Sequence, residues 1–175
     1  MKRLKKSVIL LKEVPSVDRF ELNISCPNID CKKEDLDIKN MIEVVDNSKN
    51  VDQELYVKVS PDLDKRDVES TLEIISNNGV KGITTTNSTI NHNSRYILNS
   101  PRKGGASGNA VYEDSFKIQK FFYENIKCTN LKLIACGGIN SKERLNERKY
   151  FGAEEFQIFT PIIFSGTRLL RELRN

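Results

Sequence analysis

Five short runs of β-branched, aromatic and other apolar residues recur along the chain, and each ends in polar residues or glycine. Runs of this length and composition, several of them alternating with polar residues, predict β-strands. The predicted strands are Arg19–Ser25, Glu54–Ser60, Val80–Asn87, Leu131–Gly138 and Glu154–Thr160.

Between these strands, apolar residues recur at three- and four-residue spacing, which is typical of amphipathic helices. One such helix spans Val68 to Ile75. Another follows Asp114 or Ser115, either of which could cap its first turn. Further helices are predicted for 1–11, 38–47, 141–151 and 166–175.

Regular alternation of strands and helices predicts an α/β fold with about five parallel strands and crossover helices. Ligands bind at the C-terminal ends of the strands in such folds. Here those ends read NISCPN, KVSPD, TTTNST, ACGG and IFT, a set rich in amide, hydroxyl and glycine residues. The loop 90–102 is long for such a connection, which is typical of a functional lid or a disordered segment.

Length and charge restrict the possible functions. With 175 residues, the chain is long enough for one domain with a substantial core. The net charge of +4 is spread along the sequence, which does not favour a nucleic-acid-binding protein. The apolar run SVILL is too short to span a membrane.

The cysteines are Cys26, Cys31, Cys128 and Cys136, and the one histidine is His92. No cysteine pair has the spacing of a zinc knuckle, and we predict no metal site. A disulfide framework is also unexpected in a chain of this size with sparse cysteines. Cys128 and Cys136 are interpreted as small buried hydrophobic residues.

Glycine motifs late in the series indicate a phosphate ligand. KGGASG and CGG each precede a predicted helix. Glycine permits close approach of the backbone, and the N–H groups at a helix start attract anions.

Lys58 lies inside an apolar strand, which is unusual for a lysine without a partner or function. With Val57 and Val59 on the opposite face, Lys58 is predicted to point into a barrel or cleft, where an anionic ligand would be a suitable partner. The alternative is an edge position with the amine in water. The amides of Asn23, Asn28 and Asn87, at strand ends, could each donate to and accept from a planar heterocycle.

Six motifs, in this order and spacing, resemble the dihydroorotate dehydrogenase family: ELNISCPN, VKVSPDL, GITTTNSTI, GGASG, LIACGGI and FQIFT. The resemblance extends from about residue 17 to the end of the chain. It implies an FMN-dependent (β/α)8 TIM barrel that oxidises dihydroorotate to orotate in pyrimidine (UMP) biosynthesis.

The resemblance also implies roles for individual residues. Cys26 matches the catalytic base, which takes the proton from C5 of dihydroorotate while a hydride passes from C6 to N5 of FMN. Asn23 would contact both substrate and flavin. The other implied contacts are Asn28, Asn87 and Ser88 with the substrate, Lys58 and Thr86 with the flavin, and Gly108, Gly138, Phe159 and Thr160 around its ribityl phosphate.

Two features bear on the electron acceptor. A cysteine base is typical of the soluble class 1 enzymes, whereas the quinone-linked class 2 enzymes usually carry serine. However, VKVSPDL, TTTNSTI and GGASGNAVYEDS resemble class 2 over a greater length. We therefore expect quinone as acceptor, with the class 1 acceptors fumarate or NAD as the alternative.

A complete barrel of this kind takes about 250 residues. The resemblance begins near the helix before the family's fourth strand, so residues 1–175 are predicted to be the C-terminal portion of the barrel. We expect this portion alone to hold FMN weakly and to lack full activity.

Other interpretations remain open. The chain could be an inactive truncated remnant or a partner-binding half-barrel, or it could resemble the related flavin domain of dihydropyrimidine dehydrogenase. For a eukaryotic class 2 enzyme, the resemblance implies the mitochondrial inner membrane, with membrane contact through a further N-terminal region. The class 1 alternative implies the cytoplasm.

Overall fold

Five strands alternate with helices in the computed structural model, which describes residues 1–25, 37–98, 103–127 and 129–174. The strands are β1 (Arg19–Asn23), β2 (Glu54–Val59), β3 (Gly82–Thr85), β4 (Lys132–Cys136) and β5 (Ala153–Gln157). The helices are α1 (Lys2–Leu11), α2 (Ile38–Asp46), α3 (Lys65–Ser76), α4 (Tyr112–Asn125), α5 (Lys142–Tyr150), α6 (Thr160–Ser165) and α7 (Arg168–Arg174).

All five strands pair in parallel, in the order β1-β2-β3-β4-β5. The predicted α/β fold with five parallel strands and crossover helices is therefore confirmed. Each observed strand lies within its predicted range, except that β5 begins one residue earlier. None of the helices in the described parts of the chain is long and apolar enough to cross a bilayer.

The start of α4 and the presence of α6 differ from the prediction. A 3₁₀ helix at Gly108–Val111 leads directly into α4, so α4 begins at Tyr112 and has no side-chain cap. Ser115, a predicted cap, is instead buried inside the helix. The short helix α6 was not predicted, because its apolar residues continue the pattern of the preceding strand; Pro161 lies in its first turn, a position that proline favours.

One face of the sheet is apolar and is covered by helices. Side chains such as Leu22, Val57 and Ile83 point to this side and join the helices in one buried hydrophobic cluster. A second cluster forms where α5 and α7 pack beside β5.

The opposite face of the sheet, here called the inner face, is mostly polar. Its members are the alternate strand residues that the register places side by side. They are Arg19, Glu21, Asn23, Glu54, Tyr56, Lys58, Gly82, Thr84, Lys132, Ile134, Cys136, Glu155 and Gln157.

Arg19 and Glu155 join the two edge strands across the inner face. The guanidinium of Arg19 donates to both carboxylate oxygens of Glu155, at 2.7 and 2.9 Å, and lies 4.1 Å above the ring of Tyr56. In a flat sheet, strands β1 and β5 would be about 19 Å apart, four times the usual strand spacing. The sheet must therefore curve strongly toward its inner face, as a segment of a barrel does.

We expect the Arg19–Glu155 pair to contribute a pH-dependent coupling to stability. The Arg19 hydrogen bonds hold the pKa of Glu155 below its ordinary value. A lowered carboxylate pKa stabilises the folded state fully above the unfolded-state pKa, and this contribution is lost as the pH falls through the folded-state value. A double-mutant cycle with Arg19→Met and Glu155→Gln in urea should give about 0.5–1 kcal/mol at pH 7, because the pair is partly exposed.

The same cycle should give a coupling that falls toward zero as the pH is lowered through the folded-state pKa of Glu155. The i,i+4 pair Arg168–Glu172 on the exposed surface of α7 is a control for ordinary surface pairing. A coupling between Arg19 and Glu155 that did not change with pH would contradict a role for the ionised carboxylate.

Candidate active site

The C-terminal ends of β2 to β5 surround a cavity of about 270 Å³. Polar side chains and glycines from the predicted site form much of its wall. The predicted residues that line it are Lys58, Thr86, Asn87, Ser88, Gly108, Gly138, Phe159 and Thr160. Residues far apart in the sequence are thus brought together, because parallel strands present their C-terminal ends at one edge of the sheet.

Lys58 lies near the C-terminal end of β2 on the inner face, opposite in direction to the buried Val57 and Val59, as predicted. Its Nζ atom donates to Oε1 of Gln157 at 2.7 Å and lies 3.8 Å from a carboxylate oxygen of Glu21. Only 17% of the side chain is exposed. The ammonium group is therefore fixed at the floor of the cavity by one amide and one carboxylate.

Asn23 and Asn87 meet at the rim of β1 and β3. The Asn87 amide nitrogen donates to Oδ1 of Asn23 at 3.0 Å and to the carbonyl oxygen of Ser25 at 3.1 Å. The Ser25 amide donates to the same Asn23 oxygen at 3.2 Å. This contact places Asn23 beside the cavity through Asn87, and no donor within the described residues is bonded to the side-chain carbonyl of Asn87.

Glycines permit two parts of the cavity wall to approach each other. Gly108 and Gly138 both have positive φ, at 67° and 69°. A Cβ atom on Gly138 would lie 2.7 Å from the carbonyl oxygen of Gly108, and one on Gly108 would lie 2.9 Å from the Thr160 side chain. The Thr160 hydroxyl in turn donates to the hydroxyl of Ser107 at 2.9 Å. A side chain at either glycine would thus force apart the three segments that form this end of the cavity.

The loop after β3 is closed at its base. Thr89 and Ala106 form an antiparallel bridge, and Asp62 accepts hydrogen bonds from the Thr89 hydroxyl and the Ile90 amide. The bridge returns the chain to the cavity just before Gly108. The long loop 90–102, predicted as a lid or a disordered segment, therefore begins and ends close to this bridge. Residues 99–102 of the loop lie outside the described parts of the chain.

Apolar side chains are exposed beside the cavity. Phe159 is 76% exposed at the cavity rim, and Ile163 and Phe164 on α6 are 64% and 85% exposed. A second cavity of about 620 Å³ lies between α6 and the loop after β3, lined by Phe164, Tyr96 and other residues. This side of the site is therefore suited to contact with an apolar group.

Of the four cysteines, the structure describes Cys136. Cys136 is largely buried but lines the cavity with its remaining surface, so its interpretation as a small buried hydrophobic residue is wrong in that part of it faces the site. Burial raises the pKa of its thiol, and the nearby Lys58 opposes that rise. Cys26, Cys31 and Cys128 lie outside the described residues, as does Asn28. The described residues contain no cluster that could hold a metal ion.

Three residues of this region, Glu21, Thr84 and Gln157, were not predicted as site residues. Gln157 donates from Nε2 to a carboxylate oxygen of Glu21 at 2.6 Å, and Glu21 also accepts from the hydroxyl of Thr84. Glu21, Lys58, Thr84 and Gln157 thus form one network across the inner face. The sequence does contain a signal for two of them, because residues two apart in a strand point to the same face. In RFELN this puts Glu21 on the face of Asn23, and after AEEFQ it puts Gln157 on the face of Phe159.

Comparison with known proteins identifies the family. The family model described as "Dihydroorotate dehydrogenase" matches residues 4–175. A quinone dihydroorotate dehydrogenase of Buchnera aphidicola is 30% identical over 68% of this chain and 35% of its own length. That of Corynebacterium diphtheriae is 28% identical over 97% of this chain and 47% of its own length.

Solved structures show the same fold. The ligand-free DHODH of Eimeria tenella matches 98% of this chain and 53% of its own length, with a TM-score of 0.84 and 20% identity. The chain therefore spans about a third to a half of the length of the relatives and structures that it matches. The match over residues 4–175 shows that the chain belongs to the dihydroorotate dehydrogenase family.

Proposed function

We propose that the chain is the C-terminal portion of an FMN-dependent dihydroorotate dehydrogenase barrel. In the complete protein it would oxidise dihydroorotate to orotate in pyrimidine biosynthesis. The observation that carries this proposal is the position of Lys58. It is a cation fixed at the floor of a cavity whose walls carry eight of the residues that the family resemblance assigns to flavin or substrate.

The residues present fit FMN. The flavin ring needs donors for its carbonyl oxygens and ring nitrogen, and Lys58 supplies an ammonium group on one side of the cavity. The Thr86 hydroxyl beside it donates to the Asn87 carbonyl in this structure, so its oxygen would serve the flavin as an acceptor. The phosphate needs close approach of backbone N–H groups, and Gly108 and Gly138, which both line the cavity, let the segments that carry such groups lie close together. FMN would supply the two-electron chemistry by accepting the hydride.

The substrate is proposed to lie at the Asn23–Asn87 end of the site. Asn87 is already oriented by Asn23 and Ser25, so its carbonyl can accept from a ring N–H of dihydroorotate. Asn28 and Ser88 would complete the contacts, and Cys26, three residues after Asn23, would take the proton from C5. A thiol has an ordinary pKa near 8.5, so its environment must favour the thiolate for this role.

Quinone is the proposed electron acceptor. The exposed side chains of Phe159, Ile163 and Phe164 form an apolar surface next to the cavity, which suits an apolar oxidant better than fumarate or NAD. The relatives named above are quinone enzymes. For a eukaryotic source the proposed location is the mitochondrial inner membrane; a cytoplasmic class 1 enzyme is the alternative that the cysteine at position 26 favours.

Lys58→Met should weaken FMN binding at least about tenfold, because it removes the cation at the cavity floor. Lys132→Met is a matched control: Lys132 also lies on the inner face and pairs with Glu54, but at the opposite end of the strands. Equilibrium dialysis against micromolar to millimolar FMN would measure both. Equal FMN affinity in Lys58→Met and wild type would contradict the proposed contact.

Cys26→Ala should slow turnover of the complete enzyme by roughly 10²–10⁴-fold, as expected for loss of a general base. Cys26→Ser should slow it less, because the hydroxyl oxygen can still accept a proton. Both variants should retain FMN, measured as flavin absorbance, and Cys31→Ser serves as the control thiol. Loss of flavin with unchanged chemistry would show that Cys26 binds the cofactor instead.

The complete enzyme should reduce a ubiquinone analogue and be slow with fumarate. Steady-state dihydroorotate oxidation with each acceptor at matched concentration would measure this. Because both assays share the reductive half-reaction, they differ only in the acceptor. Turnover with fumarate alone would assign the protein to class 1.

A further inference from the structure

Arg148 on α5 is a fully buried arginine directly behind the Gly137–Gly138 turn. One guanidinium nitrogen donates to the Gln119 side chain at 2.8 Å. The other donates to the Ser115 hydroxyl at 2.8 Å and to the Gly137 carbonyl at 3.1 Å. Its Nε atom is buried and has no hydrogen-bond partner among the residues that the structure describes. The rings of Tyr112 and Phe116 lie at 5.2 and 5.3 Å from the guanidinium carbon.

Every hydrogen-bond acceptor of Arg148 in the described parts of the chain is neutral. The nearest acidic residue in sequence, Glu147, accepts instead from the Tyr112 hydroxyl. Burial without a carboxylate lowers the pKa of Arg148 to about 10, which still leaves it charged at neutral pH. A buried cation without an anion is costly, so an anion supplied by a ligand would relieve it.

Arg144, one turn earlier on α5, repeats the arrangement. Its Nη1 atom donates to the Gly138 carbonyl at 2.8 Å and to the side-chain oxygens of Asn109 and Asn140. None of these acceptors carries a charge. Two arginines thus hold consecutive carbonyl groups of the same glycine turn, and both of their charges remain uncompensated by the described carboxylates.

The two hydrogen bonds also orient the backbone. In a trans peptide the N–H group points away from the C=O group. Because Arg148 holds the Gly137 carbonyl and Arg144 holds the Gly138 carbonyl, the amides of Gly138 and Ile139 point away from α5. Both residues line the cavity. In the described structure neither amide donates to a protein acceptor.

We propose that Arg144 and Arg148 are positioning residues for the phosphate group of the cofactor: they aim the Gly138 and Ile139 amides into the cavity and supply positive charge behind them. The inference rests on the proposed function, and it adds a specificity for the phosphorylated form of the flavin. It predicts that the arginines discriminate FMN from riboflavin, which has the same ring and no phosphate.

Equilibrium dialysis of the 175-residue chain against FMN and against riboflavin tests this directly. Arg148→Met should weaken FMN binding about tenfold or more, because it removes one positive charge that acts on the phosphate through a partly buried, low-dielectric region. Riboflavin binding should stay within about twofold of the wild-type value. Arg148→Lys should keep most of the preference for FMN because it retains the charge. Arg144→Met, at a more exposed position, should lower the preference in the same direction and serves if Arg148→Met does not fold.

The outcomes separate the two proposals. Equal loss of FMN and riboflavin binding in Arg148→Met would show that the arginine only supports the fold, and an unchanged preference for FMN in both methionine variants would also overturn the inference. Absence of binding of either flavin to the complete protein, measured as flavin absorbance up to millimolar flavin, would overturn the proposed function together with the inference.

Discussion

The curvature of the sheet is the constraint on which the rest of the structure depends, and pairs across the inner face stabilise it. Arg19 on β1 binds Glu155 on β5, and Gln157 on β5 donates to Glu21 on β1. These contacts are possible only when the edge strands turn toward each other. The same curvature directs the ends of β2 to β5 toward one cavity, so the site and the inner-face pairs have a common geometric origin.

The chain contains two kinds of buried or partly buried cation, and the difference is informative. Arg19 and Lys58 on the inner face each lie beside a carboxylate, so their charges are balanced within the fold. Arg148 behind the glycine turn has only neutral acceptors. If charge pairing served stability alone, both sites would be expected to contain a carboxylate. Within the described residues, the uncompensated charge of Arg148 lies behind the end of the cavity where the backbone is built from glycine, an arrangement that favours an anionic ligand.

Much of the fold was predictable from the sequence, because it is encoded by local patterns. Short apolar runs predicted the five strands, and the alternation of residues around Lys58 predicted the face of the sheet to which its side chain points. Contacts between distant segments were not predictable in this way. The burial of Arg148 has no local signal, since α5 is polar on most of its surface and only Leu145 accompanies it in the buried face. The partners Glu21 and Gln157 lie 136 residues apart and meet only because the sheet curves.

Several exposed apolar side chains lie on the first helix of the chain and on the helix that follows the last strand. Ile9, Leu10 and Leu11 are exposed at the end of α1, close in sequence to the edge strand β1, and Ile163 and Phe164 are exposed on α6, just after the edge strand β5. An open parallel sheet has unpaired backbone groups at both edges, which a closed barrel removes. Further strands joining β1 to β5 would pair both edges and bring new helices against α1. The chain matches about a third to a half of the length of each relative named above, and the mostly polar inner face between its two edge strands is the side toward which the sheet curves.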